Sequence, residues 1–244
     1  MEIDVLGPLV AELDGCPVAP SAAKPRQVLA LLAIRAGQVV PGATLIDELW
    51  DDRPPPSARA TLQTYVMQVR KHLATGKAAV ATRLNGYLLD VAPECVDANR
   101  YERLVRAGAA AADQDDPATA ARLYRDALDM WRGPALVDVP VGPVLAIEVT
   151  RLEEGRLAAL EARIDAELRL GRHLAVLGDL AALSASHPTH ENLTAQYMTA
   201  LSLAGRPRQA LDAFRRLRAT LVDELGMEPS ARVQHLHREI LQAG

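Results

Sequence analysis

The 244-residue sequence predicts a mainly α-helical chain in two parts, an α+β part over residues 1–95 and an all-α part over residues 97–244. Three observations carry this prediction. Turn residues cut residues 1–20 and 78–90 into short apolar runs, as hairpin strands require, and no convincing strand pattern follows Asp97. Hydrophobic residues make up 49% of the chain but aromatics only 3%, so the cores are built from Leu, Ala and Val, of which Leu and Ala are strong helix formers. Residues 57–83 hold five basic side chains and no Asp or Glu, although the whole chain has 27 Lys+Arg against 31 Asp+Glu. Such an acid-free window inside an acidic chain marks a local patch for a polyanion.

In chain order, Ile3–Leu6 and Leu9–Leu13 are separated by Gly7-Pro8, and Asp14-Gly15 turns the chain into Cys16-Pro17-Val18, which reads as three short antiparallel strands. A helix follows, with Pro25 near its first turn and Gly37 beyond its end. Val28, Leu31 and Leu32 supply its inner face, and Lys24 and Arg26 sit at its start. After Val39-Val40-Pro41, a short helix over Ala43–Trp50 is expected to bury Leu45, Ile46, Leu49 and Trp50.

The loop Asp51–Pro56 leads into the basic stretch. Ser57 is a good N-cap, and Leu62, Val66, Val69 and Leu73 fall at i, i+4, i+7 and i+11, one stripe of a helix. The opposite face carries Ala60, Thr64, Met67, Gln68 and Lys71, flanked by Arg59, Gln63 and Arg70 on one side and Thr61 and His72 on the other. Small residues and amides with cations at the edge suit a helix in the DNA major groove. Ala78–Asp90 then reads as two strands around Asn85-Gly86.

Strands, helix, helix, basic helix and hairpin, in that order, are the layout of a winged helix-turn-helix, whose hairpin wing stands at the end of the recognition helix. On this layout Thr61, Gln63, Thr64 and Gln68 are the base-edge candidates. Arg59, Arg70, Lys71, Lys77 and Arg83, together with Lys24 and Arg26, are candidates for phosphate or groove contacts. Arg83 and Asn85 fall near the wing tip.

Val91–Val96 reads as a linker, and Asp97 as the cap of the next helix. Helices are expected at about 98–113, 117–131, 143–170, 172–186, 190–204, 206–225 and 229–242. Gly171-Arg172 and Gly205-Arg206 lie 34 residues apart, each followed by an apolar residue five on (Val176, Ala210) and nine on (Leu180, Phe214). Ala120 and Tyr124 stand in the equivalent places after Asp115. A 34-residue helix–turn–helix period is that of tetratricopeptide repeats, which bury their faces by stacking and leave a concave surface for a partner.

Several runs resemble the Streptomyces antibiotic regulatory protein family. These are Ile3–Gly7, Lys24–Leu32, Leu45–Trp50, Pro55–Val66, within which Ser57–Val66 is the most specific piece, and Asn85–Leu89; the second half adds Val96–Glu102, Leu128–Leu136, Arg151–Glu154 and Asp223–Ser230. The resemblance spans essentially the whole chain. It implies an OmpR-type winged helix over 1–95 and a bacterial transcriptional activation domain over 97–244. It also implies an activator that binds direct repeats in double-stranded promoter DNA as two side-by-side protomers. Contact with RNA polymerase and its sigma factor, and control of a secondary-metabolite gene cluster, follow from the same resemblance. Two positions depart from the family pattern: Pro41-Gly42 stands where a Ser N-cap is common, and Leu84 replaces a wing glycine.

Other chemistry finds little support. The six histidines have no completing Cys or carboxylate set, so no metal or cofactor is expected. Glu153-Glu154 and Asp51-Asp52 are adjacent rather than opposed, and no nucleophile elbow or phosphate loop is present, so no enzyme activity is expected. Cys16 and Cys95 lack metal-ligand spacing and read as two buried thiols in a reducing compartment. The acidic start is no signal peptide and Val28–Ile34 is far short of a membrane span, so a cytoplasmic, nucleoid-associated location is expected, with no membrane partner. The competing class is a repeat scaffold for protein partners whose winged helix only docks it. A docking surface, however, has no need to exclude carboxylates from residues 57–83.

Overall fold

The computed structural model describes residues 1–73 and 79–243, Ala243 by its backbone alone. By compactness the chain divides into Met1–Arg106 with Arg125–Leu157, and Ala107–Tyr124 with Ala158–Gly244.

The first unit opens with β1 (Glu2–Asp4), β2 (Val10–Leu13) and β3 (Cys16–Pro17), an antiparallel sheet in that order. Asp14 and Gly15, both at positive φ, turn β2 into β3. The helix α1 (Ala23–Ile34) follows, then β4 (Val39–Pro41), α2 (Gly42–Trp50), α3 (Ala58–Leu73), β5 (Val80–Arg83) and β6 (Gly86–Leu89). The second sheet runs β4-β6-β5, all antiparallel. Three helices and a hairpin backed by a third strand make the expected winged helix.

Local detail departs from expectation where a distant partner intervenes. Val39–Pro41 is a strand, because β6 pairs along it, and a three-residue stretch ending in Pro carries no period of its own. The helix α1 is buried nearly all round, from Gln27 to Ala33, since α2, α3 and β6 all pack on it. In α2 the buried residues are Leu45, Glu48 and Leu49, whereas Ile46 and Trp50 are half-buried. Cys16 is exposed and Cys95 half-buried, which corrects the expectation of two buried thiols; β3 is an edge strand with only β2 beside it.

The wing turn is Leu84–Asn85, with Asn85 at φ +65° and Leu84 91% exposed. Gly86 is already inside β6 and is needed for close approach: a Cβ there would fall on the Val40 carbonyl oxygen of β4. Gly86→Ala is expected to part β4 from β6 and to cost about 1–3 kcal/mol, read as a lowered melting temperature.

Two buried carboxylates hold this unit together. Asp97, which opens α4 (Asp97–Asp113), accepts the N–H groups of Val5 (2.8 Å), Leu6 (3.0 Å) and Ala98 (2.8 Å), with Arg132 at 3.6 Å. Burial pushes its pKa above the ordinary carboxylate value, against the pull of those three donors. Glu48 accepts the N–H groups of Gly142 (2.7 Å), Val144 (2.9 Å) and Leu145 (2.8 Å), capping the first turn of α6 (Pro143–Arg169). The helix α5 (Pro117–Leu128) stops short of the expected residue 131 because the chain turns back: Arg132 N–H donates to Leu6 O at 2.8 Å and Leu136 N–H to Val5 O at 3.1 Å. Trp131 is buried edge-on against Tyr101, ring centres 5.6 Å apart, with Arg156 over its face.

The second unit has helices and no strand among its described residues, with α7 (His173–Ser186), α8 (Glu191–Leu203), α9 (Pro207–Leu225) and α10 (Ala231–Ala243). The repeat is visible in the backbone. Asp115, Gly171 and Gly205 occupy equivalent positions, and all three sit at left-handed φ of 59°, 71° and 71° where one helix ends and its partner begins. Leu180 and Val176 pack with Ile164 and Ala200, while Phe214 and Ala210 join Met198, Leu201, Leu217 and Ile240, so the apolar positions that mark the repeat are its core.

Candidate nucleic-acid interface

The helix α3 buries Ala58, Leu62, Val66, Val69 and Leu73 against α1 and α2, the stripe its period predicts. Trp50 of α2 stacks on Tyr65 at 6.2 Å between ring centres and fixes the approach of the two helices. Outward, the described face consists of Arg59, Ala60, Gln63, Thr64, Met67, Gln68 and Lys71, all exposed, with Thr61 and Arg70 half-buried beside it. Ser57 O accepts the Thr61 N–H at 2.9 Å, and the Thr64 hydroxyl donates to Ala60 O at 3.2 Å, leaving its lone pairs free. The first turn carries no acid and the last carries Arg70, Lys71 and His72, cations that also suit the helix C-terminus electrostatically.

The predicted cations do not share one environment. Arg59 and Lys71 are exposed on the face itself. Arg70 is turned toward the wing, where it donates from Nε to Val80 O (2.9 Å) and from Nη2 to Thr82 Oγ1 (2.7 Å), with its guanidinium 6.0 Å from the Tyr87 ring centre. It sets the angle between α3 and the hairpin rather than offering a free charge. Arg83 lies on the exposed end of β5, 3.8 Å from Asp90 and half exposed. Asn85 is exposed in the wing turn, and its carbonyl accepts the Gly42 N–H at 2.9 Å. That bond caps α2 from the wing and answers the missing side-chain cap at Pro41-Gly42. Lys77 lies outside the described residues.

Lys24 and Arg26 are engaged inside the protein. The Lys24 ammonium donates to Leu49 O at the end of α2 and to Gln27 Oε1. The Arg26 guanidinium pairs with Asp138 and donates to Leu9 O and Pro20 O. Each has acceptors within the chain that sequence spacing did not reveal. The signal missed in sequence was Glu48, which lies three residues after Leu45 on the inward side of α2. Among the described residues no group of three or more His, Cys, Asp or Glu is placed to hold a metal, and no helix is long and apolar enough to cross a membrane.

A winged helix with an acid-free outward helix, followed by tetratricopeptide-like repeats, defines a transcriptional regulator. Residues 20–89 match the family described as transcriptional regulatory protein, C terminal, and residues 96–241 match the bacterial transcriptional activator domain. The regulatory protein DnrI of Streptomyces peucetius is 52% identical over all of this chain and 93% of its own length. The transcriptional regulator RedD of Streptomyces coelicolor is 37% identical over 99% of this chain and 70% of its own. The solved structure of Mycobacterium tuberculosis EmbR, in complex with a low-affinity phosphopeptide, superposes with a TM-score of 0.94 at 36% identity, covering 99% of this chain and 65% of EmbR. The chain belongs to the Streptomyces antibiotic regulatory protein family, with an OmpR-type winged helix and a bacterial transcriptional activator domain.

Proposed function

We propose that residues 1–95 bind double-stranded promoter DNA with α3 in the major groove, and that residues 97–244 carry the activation function. The observation that carries this is the outward face of α3, which presents amides, a hydroxyl and cations and not one carboxylate. Thr61, Gln63, Thr64 and Gln68 are the base-edge readers, and Arg59 and Lys71 hold phosphates. Arg83 and Asn85 present the wing to the neighbouring backbone, with Lys77 between helix and hairpin in sequence. Arg70 acts by holding helix and wing at a fixed angle. Two protomers side by side on direct repeats, recruiting RNA polymerase and its sigma factor to a secondary-metabolite gene cluster, complete the proposal. It is supported by family membership and by the likeness to DnrI and RedD. Such a protein works in the cytoplasm, on the nucleoid.

The test is selection of sheared source-genome DNA by the purified full chain, then affinity for the best fragments across a salt series. Enriched direct repeats upstream of promoters, with affinity falling steeply in salt, are expected. Lys71→Ala is expected to weaken binding to all sequences alike and to lower the salt slope by about one. Uniform weak retention with no enriched site would overturn the proposal and leave the repeat surface as the functional half.

A further inference from the structure

The outward face of α3 carries one large apolar side chain, Met67, which is 62% exposed. On the helix it is flanked by Gln63 and Thr64 at i−4 and i−3 and by Lys71 at i+4, all exposed. It therefore stands in the middle of the reading face, surrounded by groups that hydrogen-bond or carry positive charge. Exposed apolar residues are common on protein surfaces and by themselves indicate nothing. Two things set Met67 apart: its place between the base-edge candidates, and the absence of any carboxylate around it on α3. That charge pattern selects a polyanion as what covers the face. In the major groove the one apolar group a duplex offers is the thymine C5-methyl. A long, unbranched, polarizable thioether suits a contact whose position varies by an ångström or two.

We infer that Met67 is a specificity-determining residue that recognises thymine by packing on its C5-methyl group. This rests on the DNA-binding reading given above. The buried contact is a methyl against a thioether, so its loss weakens binding by about fourfold per site, one methyl's worth of apolar burial.

The experiment uses the full chain and the tightest-binding duplex from the genomic selection. Each thymine in the site is replaced in turn by deoxyuridine, which removes the methyl and leaves base pairing intact. Wild type, Met67→Ala and Met67→Leu are compared, with circular dichroism and melting confirming that the exposed substitutions leave the fold unchanged. At one thymine per half-site, deoxyuridine is expected to weaken wild type and Met67→Leu about fourfold and Met67→Ala less than twofold, while affinity for unrelated DNA stays equal in all three. Equal sensitivity of wild type and Met67→Ala at every thymine, or no effect of deoxyuridine anywhere, overturns the role of Met67 and leaves DNA binding standing. A Met67→Ala protein that loses self-association instead, with deoxyuridine without effect, assigns the side chain to a protomer contact and likewise overturns it. Failure of wild type to prefer the selected duplex over unrelated DNA would instead overturn the reading beneath it.

Discussion

Replacing Glu48 by Ala is expected to destabilise the first compact unit by about 3–5 kcal/mol, since several buried donors lose their acceptor at about 1–3 kcal/mol each. Glu48 is 2% exposed, and its carboxylate serves three backbone donors at the start of α6. Gln27, itself buried, donates from Nε2 to both the Glu48 carboxylate (2.6 Å) and the Glu48 carbonyl (2.8 Å). The alanine variant leaves the three backbone N–H groups without this acceptor, and Gln27 with only the residue-48 carbonyl, in a site that water enters poorly. Glu48→Gln keeps the shape but replaces one acceptor oxygen by an NH2 that faces N–H groups, so it recovers only part of the loss. Chemical denaturation measures the cost. Hydrogen exchange locates it: protection at Gly142, Val144 and Leu145 is expected to fall before protection in α3. A variant that melts with the wild type and keeps those amides protected would remove Glu48 from this role.

The second large effect belongs to Asp97. Its carboxylate takes the N–H groups of Val5 and Leu6, just past β1, and of Ala98 in its own helix. The residue is 2% exposed, and Val96 bridges to Ile3 alongside it. Asp97→Ala is expected to cost about 2–4 kcal/mol, since buried backbone donors are left unmatched. Because burial raises its folded pKa above 3.8, the folded protein holds the Asp97 proton at pH values where the unfolded chain has released it. Its contribution to stability is therefore greatest below the unfolded value and declines as pH rises through the folded one. Subtracting the stability–pH curve of Asp97→Asn from that of wild type isolates the effect. A difference that grows with rising pH across that window would reverse the sign and show that the three donors outweigh burial.

Much of the fold was legible because its signals are local. Leu62, Val66, Val69 and Leu73 repeat with the helical period and are buried on one side of α3. Asp14-Gly15 marks its turn, and the recurring Gly-Arg pairs mark the start of α7 and α9. The candidate site was legible in part, since the outward residues of α3 follow from the buried stripe by geometry alone. The fate of each cation was not. Arg59 and Arg70 look alike in sequence, yet one is exposed on the surface and the other is held by Val80 O and Thr82 Oγ1 across the hairpin.

By itself, then, the sequence determined the period of α3, the exclusion of carboxylates from its outward face, and the 34-residue stacking unit. Each is a property of residues close together in the chain. Three features came from long-range folding instead: Val39–Pro41 pairs as a strand, Arg26 and Lys24 serve acceptors within the chain, and Glu48 reaches the Gly142 N–H, 94 residues away at the start of α6. A charge's role depends on which acceptors folding brings within about 3 Å of it, and that distance is unrelated to separation along the chain.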